Sequence, residues 1–379
     1  MNEAPPDLHP SSTPPSPATL APFRLAVYSD AEARGGAEVT LSHLLHGLPE
    51  QVQVTVVGVD PEVVDWLVER RPGSAALVLE PIRSRSDVAQ LWAHARAFRR
   101  IRPDLIQFNL SMASSCQWAM FVATLARHRS LVVENSPMGT WSATSTRLKR
   151  FTSSRSAAHV AVGERTARLI ESDSGLPVGS VDTLYHGVPD VAQGVAPEAI
   201  TGSALLNIAR HDPVKGLDIL LQAMTLLPQD VRLVQIGRGS ETASLLALRD
   251  ELGLVDRVEF RDLPWEINAS DLIGGFNVFV LPSRLEGLPV SIMEAMLAGV
   301  AIVASDVGSV DEEITDGVTG RLVPPEDPEA LAKVLGEVLS DDAARRSMGE
   351  QARAVALEKF TVAATVEQYC RIYQRVLAG

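Results

Sequence analysis

The sequence predicts an α/β protein in which two doubly wound parallel-sheet domains face each other across a cleft. Three observations carry this. The chain has 379 residues, too many for one compact core and well suited to two. Short apolar runs of buried-strand character alternate with helix-spaced segments along its length. The alternation pauses at a stretch rich in Gly, Pro and Ala, residues 187–202, and then begins again. Repeated βα units in each half imply parallel sheets, whose ligands bind beyond the carboxyl ends of the strands.

The elements follow in order. Residues 1–22 are crowded with Pro, Ser and Thr, and the expectation is a disordered tail. The N-terminal domain is expected over 23–190. Phe23–Tyr28 reads as a strand, and Gly35-Gly36 opens a helix at Ala37–Leu48. Val52–Val59 is the next strand. Val88–Arg100 has helical spacing, Asp104–Asn109 follows as a strand after Pro103, and Cys116–Ala126 is a helix. Leu131–Glu134 and Ala158–Val162 are strands, Arg165–Ile170 is helical, and Val181–Tyr185 closes the half.

A linker is expected at 191–202 and a second domain at 203–360. Leu205–Ala209, Val231–Ile236, Arg257–Phe260, Phe276–Leu281 and Val300–Ala304 read as its strands. Leu217–Leu226 and Thr242–Leu252 are helices among them, and Asp327–Leu339 and Ala343–Phe360 are helices after them. Pro289 suits the first turn of another helix, where its missing N–H costs nothing, and Gly299 suits that helix's left-handed C-cap. Thr361 caps a last helix to about Leu377. That C-terminal segment, 361–379, is expected to pack back on the N-terminal domain.

Composition narrows the class. A hydrophobic content of 46% and a mean hydropathy of +0.09 describe an ordinary globular protein. The net charge of −13 is uneven: 18 Lys/Arg stand against 19 Asp/Glu up to Asp190, and 16 against 28 from Val191 onward. General nucleic-acid binding wants a basic face and is not expected. Two local basic clusters do occur, Arg96, Arg99, Arg100 and Arg102, then Arg147, Lys149, Arg150 and Arg155. They read either as solvated helix faces or as contacts to an anionic membrane or an acidic acceptor. The N-terminus lacks a secretory signal's basic start and apolar stretch, and no run nears the roughly 20 apolar residues needed to span a bilayer. Cys116 and Cys370 lack ligand spacing, so a reduced, cytoplasmic protein is expected, with peripheral contact to the inner face of a membrane as a variant. His43 and His46 read as surface or interface groups rather than metal ligands, and no metal site is expected.

The motifs fall at strand ends. In Pro282 to Gly299, PSRLEGLPVSIMEAMLAG, Glu286 lies in a strand-to-helix loop and Glu294 in the helix's second turn. A helix N-terminus favours an anion, so carboxylates beside it are suited to sugar hydroxyls, and the pair points to a phosphorylated sugar. Arg210 and Lys215 flank His211-Asp212-Pro213-Val214 after the second domain's first strand. Cations ahead of a helix oppose its dipole, and a bound diphosphate would supply the reason for them. Gly237-Arg238-Gly239 and Arg284 repeat the arrangement. Gly35 and Gly36 let a phosphate or sugar approach the backbone, although paired glycines before a helix are also ordinary turn residues.

On these residues the chain resembles family 4 glycosyltransferases, a retaining class with the GT-B fold of two Rossmann-like domains. The likeness runs from about Phe23 to the C-terminus. It rests on Gly35-Gly36-Ala37-Glu38, His186-Gly187-Val188, Arg210 with Lys215-Gly216, Gly237 with Gly239, and the Glu286/Glu294 pair. The stretches Ala304–Gly308 and Asp316–Gly320 read alike. The resemblance implies transfer of a sugar from a UDP- or GDP-sugar to an acceptor hydroxyl, by front-face attack assisted by the leaving phosphate. It implies that Arg210 and Lys215 stabilise the leaving diphosphate, with backbone N–H groups of Gly287, Leu288 and Gly36 beside them. Glu286 would hold the transferred sugar and Glu294 the ribose, with no divalent metal and no cofactor. The acceptor would be a small molecule, a glycan or a lipid-linked group.

Two positions depart from the family pattern. Glu134-Asn135-Ser136 stands where a sugar-contacting histidine is usual, which makes Glu134 and Asn135, with Trp141 beyond, candidate acceptor contacts. His186 replaces the usual Asn before Gly187 and reads equally as a donor contact or a hinge residue. An epimerase or hydrolase using Glu134 and His186 as acid and base, and a non-catalytic nucleotide-sugar binder, are the alternatives.

Overall fold

The computed structural model describes residues 20–139, 142–190, 204–263 and 269–379. The first half runs β1 (Phe23–Ser29), α1 (Gly36–Gly47), β2 (Val52–Gly58), α2 (Pro61–Glu69), β3 (Ala75–Val78), α3 (Val88–Ile101), β4 (Leu105–Leu110), α4 (Gln117–Leu125), β5 (Ser130–Glu134), α5 (Ala143–Ser153), β6 (Ala158–Val162), α6 (Glu164–Ser174) and β7 (Asp182–Leu184). Its strands form one parallel sheet in the order β3-β2-β1-β4-β5-β6-β7. The central strands β4, β5 and β6 are buried throughout, as expected when helices cover both faces. The order reverses between β1 and β4, so a crevice opens at their carboxyl ends.

The second half runs β8 (Ala204–Ile208), α7 (Leu217–Leu226), β9 (Arg232–Ile236), α8 (Thr242–Glu251), β10 (Val258–Arg261), β11 (Val278–Leu281), α9 (Val290–Leu297), β12 (Ala301–Ser305), α10 (Val310–Glu313), β13 (Arg321–Val323), α11 (Pro328–Ser340), α12 (Asp342–Lys359) and α13 (Val362–Ala378). Its parallel sheet, β10-β9-β8-β11-β12-β13, reverses between β8 and β11. Both sheets are therefore Rossmann-like. The expected linker 191–202 and residues 1–19 of the expected tail lie outside the described residues.

Several elements escape the sequence pattern. Strand β3 is mostly exposed at the sheet edge and has no apolar alternation to read. Asp60 caps α2 by accepting from Val63 N at 3.0 Å. Pro289 is the N-cap of α9 rather than its first helical residue. Lys149 is not part of a solvated cluster, because its side chain is wholly buried against Glu134.

The chain crosses back to the first domain at its end. Val188 and Thr361 form a β-bridge, and Thr361 Oγ1 caps α13 by accepting from Ala364 N at 3.2 Å. Helix α13 then packs on α1 and buries Val366, Tyr369, Cys370, Tyr373 and Val376 in the N-terminal core. The Tyr373 hydroxyl donates to Gln107 Oε1 at 2.6 Å. A second contact joins the domains at the N-terminus of α6. There the Glu312 carboxylate accepts from Glu164 N at 2.7 Å, Arg165 N at 2.9 Å and the Tyr185 hydroxyl at 2.9 Å. Ser309 Oγ accepts from Thr166 N at 3.1 Å, and Arg165 pairs with Asp306. Both cysteines are buried and free, and no described helix is long and apolar enough to cross a membrane.

Candidate active site

The carboxyl ends of the two sheets meet around the loop that joins β11 to α9. Its position follows from close backbone packing. A Cβ on Gly287 would lie 2.4 Å from the carbonyl oxygen of Asn135, and one on Gly308 2.0 Å from that of Glu286. Only glycine permits either approach. Across the cleft, a Cβ on Gly36 would lie 3.8 Å from Val290, so the Gly35–Gly36 turn faces the start of α9. That turn is held by Glu38, which accepts from Gly35 N and Ser29 Oγ, both at 3.2 Å. Burial pushes the Glu38 carboxyl up to about 7.

Lys215 and Glu286 come together although 71 positions separate them. Lys215 Nζ lies 2.7 Å from Glu286 Oε1, and Ser283 Oγ donates to the same oxygen at 2.6 Å. Arg284 brings this about. Its guanidinium grips Asp218 bidentately at 2.8 and 2.7 Å, donates to Pro213 O at 2.7 Å and pairs with Glu326. It thus pins the β11–α9 loop to the Pro213–Lys215 turn, and its donors are not directed at a phosphate, contrary to the sequence expectation. Arg210 is 67% exposed, its nearest acid Asp212 at 3.6 Å. Arg238 is also exposed, 3.5 Å from Asp262.

The loop carrying Arg210 is braced by residues that sequence reasoning passed over. His211 is buried, with Nδ1 2.7 Å from Thr242 Oγ1 and Nε2 2.5 Å from Gln235 Oε1. Gln235 Nε2 donates to Ala209 O at 2.9 Å. A Cβ on Gly237 would lie 2.1 Å from that same carbonyl, and one on Gly239 2.4 Å from His211 O. These glycines let the two phosphate-side loops nest, which no local pattern of one loop reveals.

The Glu294 carboxyl has no hydrogen bond or ion pair to any described residue. Burial, and then the charge of Asp271, raise its carboxyl to about 7. Leu288 is buried in the second domain's core, so only its backbone can serve a ligand. Behind Glu286, α10 buries Glu313, whose two carboxyl oxygens have no partner among the described residues. Burial and then the neighbouring Glu286 and Glu312 hold Glu313 well above the usual carboxylate range.

The first domain supplies a polar floor. Asn135 Nδ2 donates to Leu110 O at 3.0 Å and Asn109 Oδ1 at 3.2 Å, which turns its Oδ1 toward His186. His186 Nε2 therefore donates to Asn135 Oδ1, at 2.6 Å, and its buried Nδ1 has no partner among the described residues. Burial, and then His43, lower His186 to about 3, so it is neutral. His43, half-buried beside Gly187, is itself lowered to about 4, chiefly by burial. Asn109 Nδ2 completes the chain by donating to Ala37 O at 3.3 Å.

Glu134 does not reach this floor. Its side chain is fully buried, with Lys149 and, at 2.8 Å, His159 on the same oxygen. Burial pushes its carboxyl up, but Lys149 and His159 outweigh that and hold it below the usual range. It therefore has no surface to offer an acceptor. Trp141 lies outside the described residues.

Comparison with known proteins places this architecture. Residues 198–355 match the family of glycosyl transferases group 1, and residues 34–191 match glycosyltransferase family 4. The lipopolysaccharide core biosynthesis mannosyltransferase LpcC of Rhizobium leguminosarum bv. viciae is 29% identical over 235 residues, 59% of this chain and 66% of that protein. The N-acetyl-alpha-D-glucosaminyl L-malate synthase of Bacillus anthracis is 32% identical over 175 residues, 46% of this chain and 45% of that one. The chain thus spans less than two thirds of the length of these relatives. Among solved structures, Anabaena HepE in complex with UDP-glucose superposes with a TM-score of 0.81 at 20% identity, covering 93% of this chain and 99% of that one. Sucrose-phosphate synthase from Thermosynechococcus elongatus gives 0.78 at 21%, covering 94% and 99%.

Proposed function

The chain belongs to glycosyltransferase family 4, and from that premise we propose that it moves a sugar from a UDP- or GDP-sugar to an acceptor hydroxyl with retention of anomeric configuration. One observation carries the reading. Exposed Arg210, Lys215 on Glu286, and a Glu294 carboxyl with no partner among the described residues stand at the strand ends of the second domain, opposite the Gly35–Gly36 turn. Arg210 and Lys215 meet the charge that develops on the departing diphosphate, together with backbone N–H groups of Gly287 and Leu288 at the start of α9. Glu286, already oriented by Lys215 and Ser283, accepts from a hydroxyl of the transferred sugar, and Glu294 accepts from the ribose.

In the step itself, the bond between the anomeric carbon and the diphosphate oxygen breaks, its electron pair leaving with the phosphate. The acceptor oxygen bonds to the same face of that carbon, and its proton passes to the leaving phosphate. We assign no divalent cation to this step, because side-chain cations stand where the diphosphate charge would lie. The acceptor is a small molecule, a glycan or a lipid-linked group. An epimerase or hydrolase would need Glu134 and His186 as acid and base. Glu134 is enclosed with Lys149, and His186 is held neutral, so the geometry favours transfer.

Thermal shift with UDP, GDP and ADP tests donor binding, since a ligand of the folded state raises Tm by mass action. One diphosphate should raise Tm, and its sugars should then give an axial-or-equatorial anomer matching the donor by NMR, with turnover persisting in EDTA. Indifference to all three nucleotides would sink the reading; inversion would sink the retaining mechanism alone.

A further inference from the structure

The helices α3, α4 and α5 cover the face of the first sheet opposite α1 and α13, and they carry an unusual charge. Between Val88 and Ser156 stand 10 Lys/Arg and 2 Asp/Glu, in a chain of net charge −13. The two acids do not offset the surface: Asp104 is paired with Arg24, and Glu134 is buried with Lys149. Arg96, Arg99 and Arg100 of α3 and Arg147 and Arg150 of α5 are exposed, as is Arg155 just beyond. Helix α3 packs on α4 and α4 on α5, so these cations share one continuous surface.

Apolar side chains are interleaved with them. Trp92 is 72% exposed and Leu125 62%, and Val88 lies one turn before Trp92 on the same stripe, which Arg96 and Arg99 continue. Between α4 and α5, half-exposed Trp118 meets Phe121 edge to face and Phe121 meets Phe151 at a tilt, with the Arg155 guanidinium 4.2 Å from the Phe151 ring centroid. Leaving Trp92 and Leu125 in water forgoes apolar burial, and an interaction surface explains them better than chance.

We propose that the α3–α4–α5 face binds an anionic lipid bilayer, with Trp92 and Leu125 entering the headgroup region. Three features select a bilayer over other polyanions. The face is broad and formed by helix backs rather than a groove. Tryptophan with arginine suits an interface that is apolar on one side and charged on the other. The remainder of the chain carries the opposite charge, which orients the molecule before contact with a negative plane. This inference rests on the outer face and stands apart from the chemistry of the cleft.

Co-sedimentation of the full chain with phosphatidylcholine vesicles, with and without 30% phosphatidylglycerol (about that fraction suffices for a negative surface), tests it. Binding is expected only to the anionic vesicles and should fall when salt is raised. R96E/R99E/R100E and Trp92→Ala should each weaken it at least tenfold, whereas R346E/K359E on α12 should not. Equal sedimentation with neutral vesicles, insensitivity to the α3 reversal, or binding to duplex DNA or an acidic polypeptide but not to vesicles would overturn the proposal. Nucleotide thermal shift on the same samples separates the two readings, since loss of vesicle binding with an intact shift leaves the transferase reading standing.

Discussion

Glu294 is a carboxyl in the second turn of α9 that meets no hydrogen-bond donor among the described residues, and its protonation should report on the ligand. In the free protein, burial and then Asp271 raise it from 4.5 to about 7, so it is largely protonated at pH 5.5. Ribose hydroxyls donate best to the ionised form, and binding should therefore release a proton. Calorimetry with the preferred diphosphate in two buffers of different ionisation enthalpy should show this, with affinity rising from pH 5.5 to 8. Glu294→Gln should abolish the residue's share, the nucleotide's own ionisation remaining in both proteins. Identical proton release in the two would remove Glu294 from the ribose. At this scale the sequence named Lys215 and Glu286, which the fold sets 2.7 Å apart. It misread Glu134, because a carboxylate's enclosure by a lysine and a histidine from neighbouring elements has no local pattern.

At the scale of elements, the loops after β8 and β11 depend on partners far along the chain. Arg284 supplies one such link and Glu312 another. The Glu312 carboxylate belongs to the second domain but caps the first domain's α6 at two backbone N–H groups. Helix caps contribute about 1 kcal/mol each, and anions at a helix N-terminus add a few tenths. Glu312→Ala should cost about 1–2 kcal/mol of stability in denaturant unfolding. It should also speed amide exchange at Glu164 and Arg165 more than in β1. Uniform exchange with unchanged stability would mean that the contact does not hold the domains together. Sequence periodicity located α6 and the strands on either side of it, but the acceptor for its N-terminus lies about 150 residues away, beyond any window.

For the whole molecule, buried titrating groups pull stability in opposite directions between pH 5 and 7. His43 and His186 are lowered to about 4 and about 3, mainly by burial, so the unfolded chain takes up their protons first and stability falls as pH drops below 6.5. Glu38 and Glu294 are raised to about 7 by burial. They stabilise while protonated, and that contribution is lost as pH rises from 4.5 through 7. The drop in Tm from pH 7 to pH 5 should therefore be smaller in His43→Gln than in the native chain and larger in Glu294→Gln. The reverse order would show that these groups do not titrate as their surroundings imply.

What the sequence determined by itself was the architecture and the residue types of the site. Alternating apolar runs specify two parallel sheets, parallel sheets place ligands at strand ends, and the sequence sets Arg, Lys and Glu at those ends. The tertiary structure decided which of those side chains face the cleft. It joined Lys215 to Glu286, spent Arg284 on Asp218, enclosed Glu134 and turned His43 inward. Strand and helix patterns arise from neighbouring residues, whereas a carboxylate's charge and exposure depend on which distant groups the folded chain sets beside it.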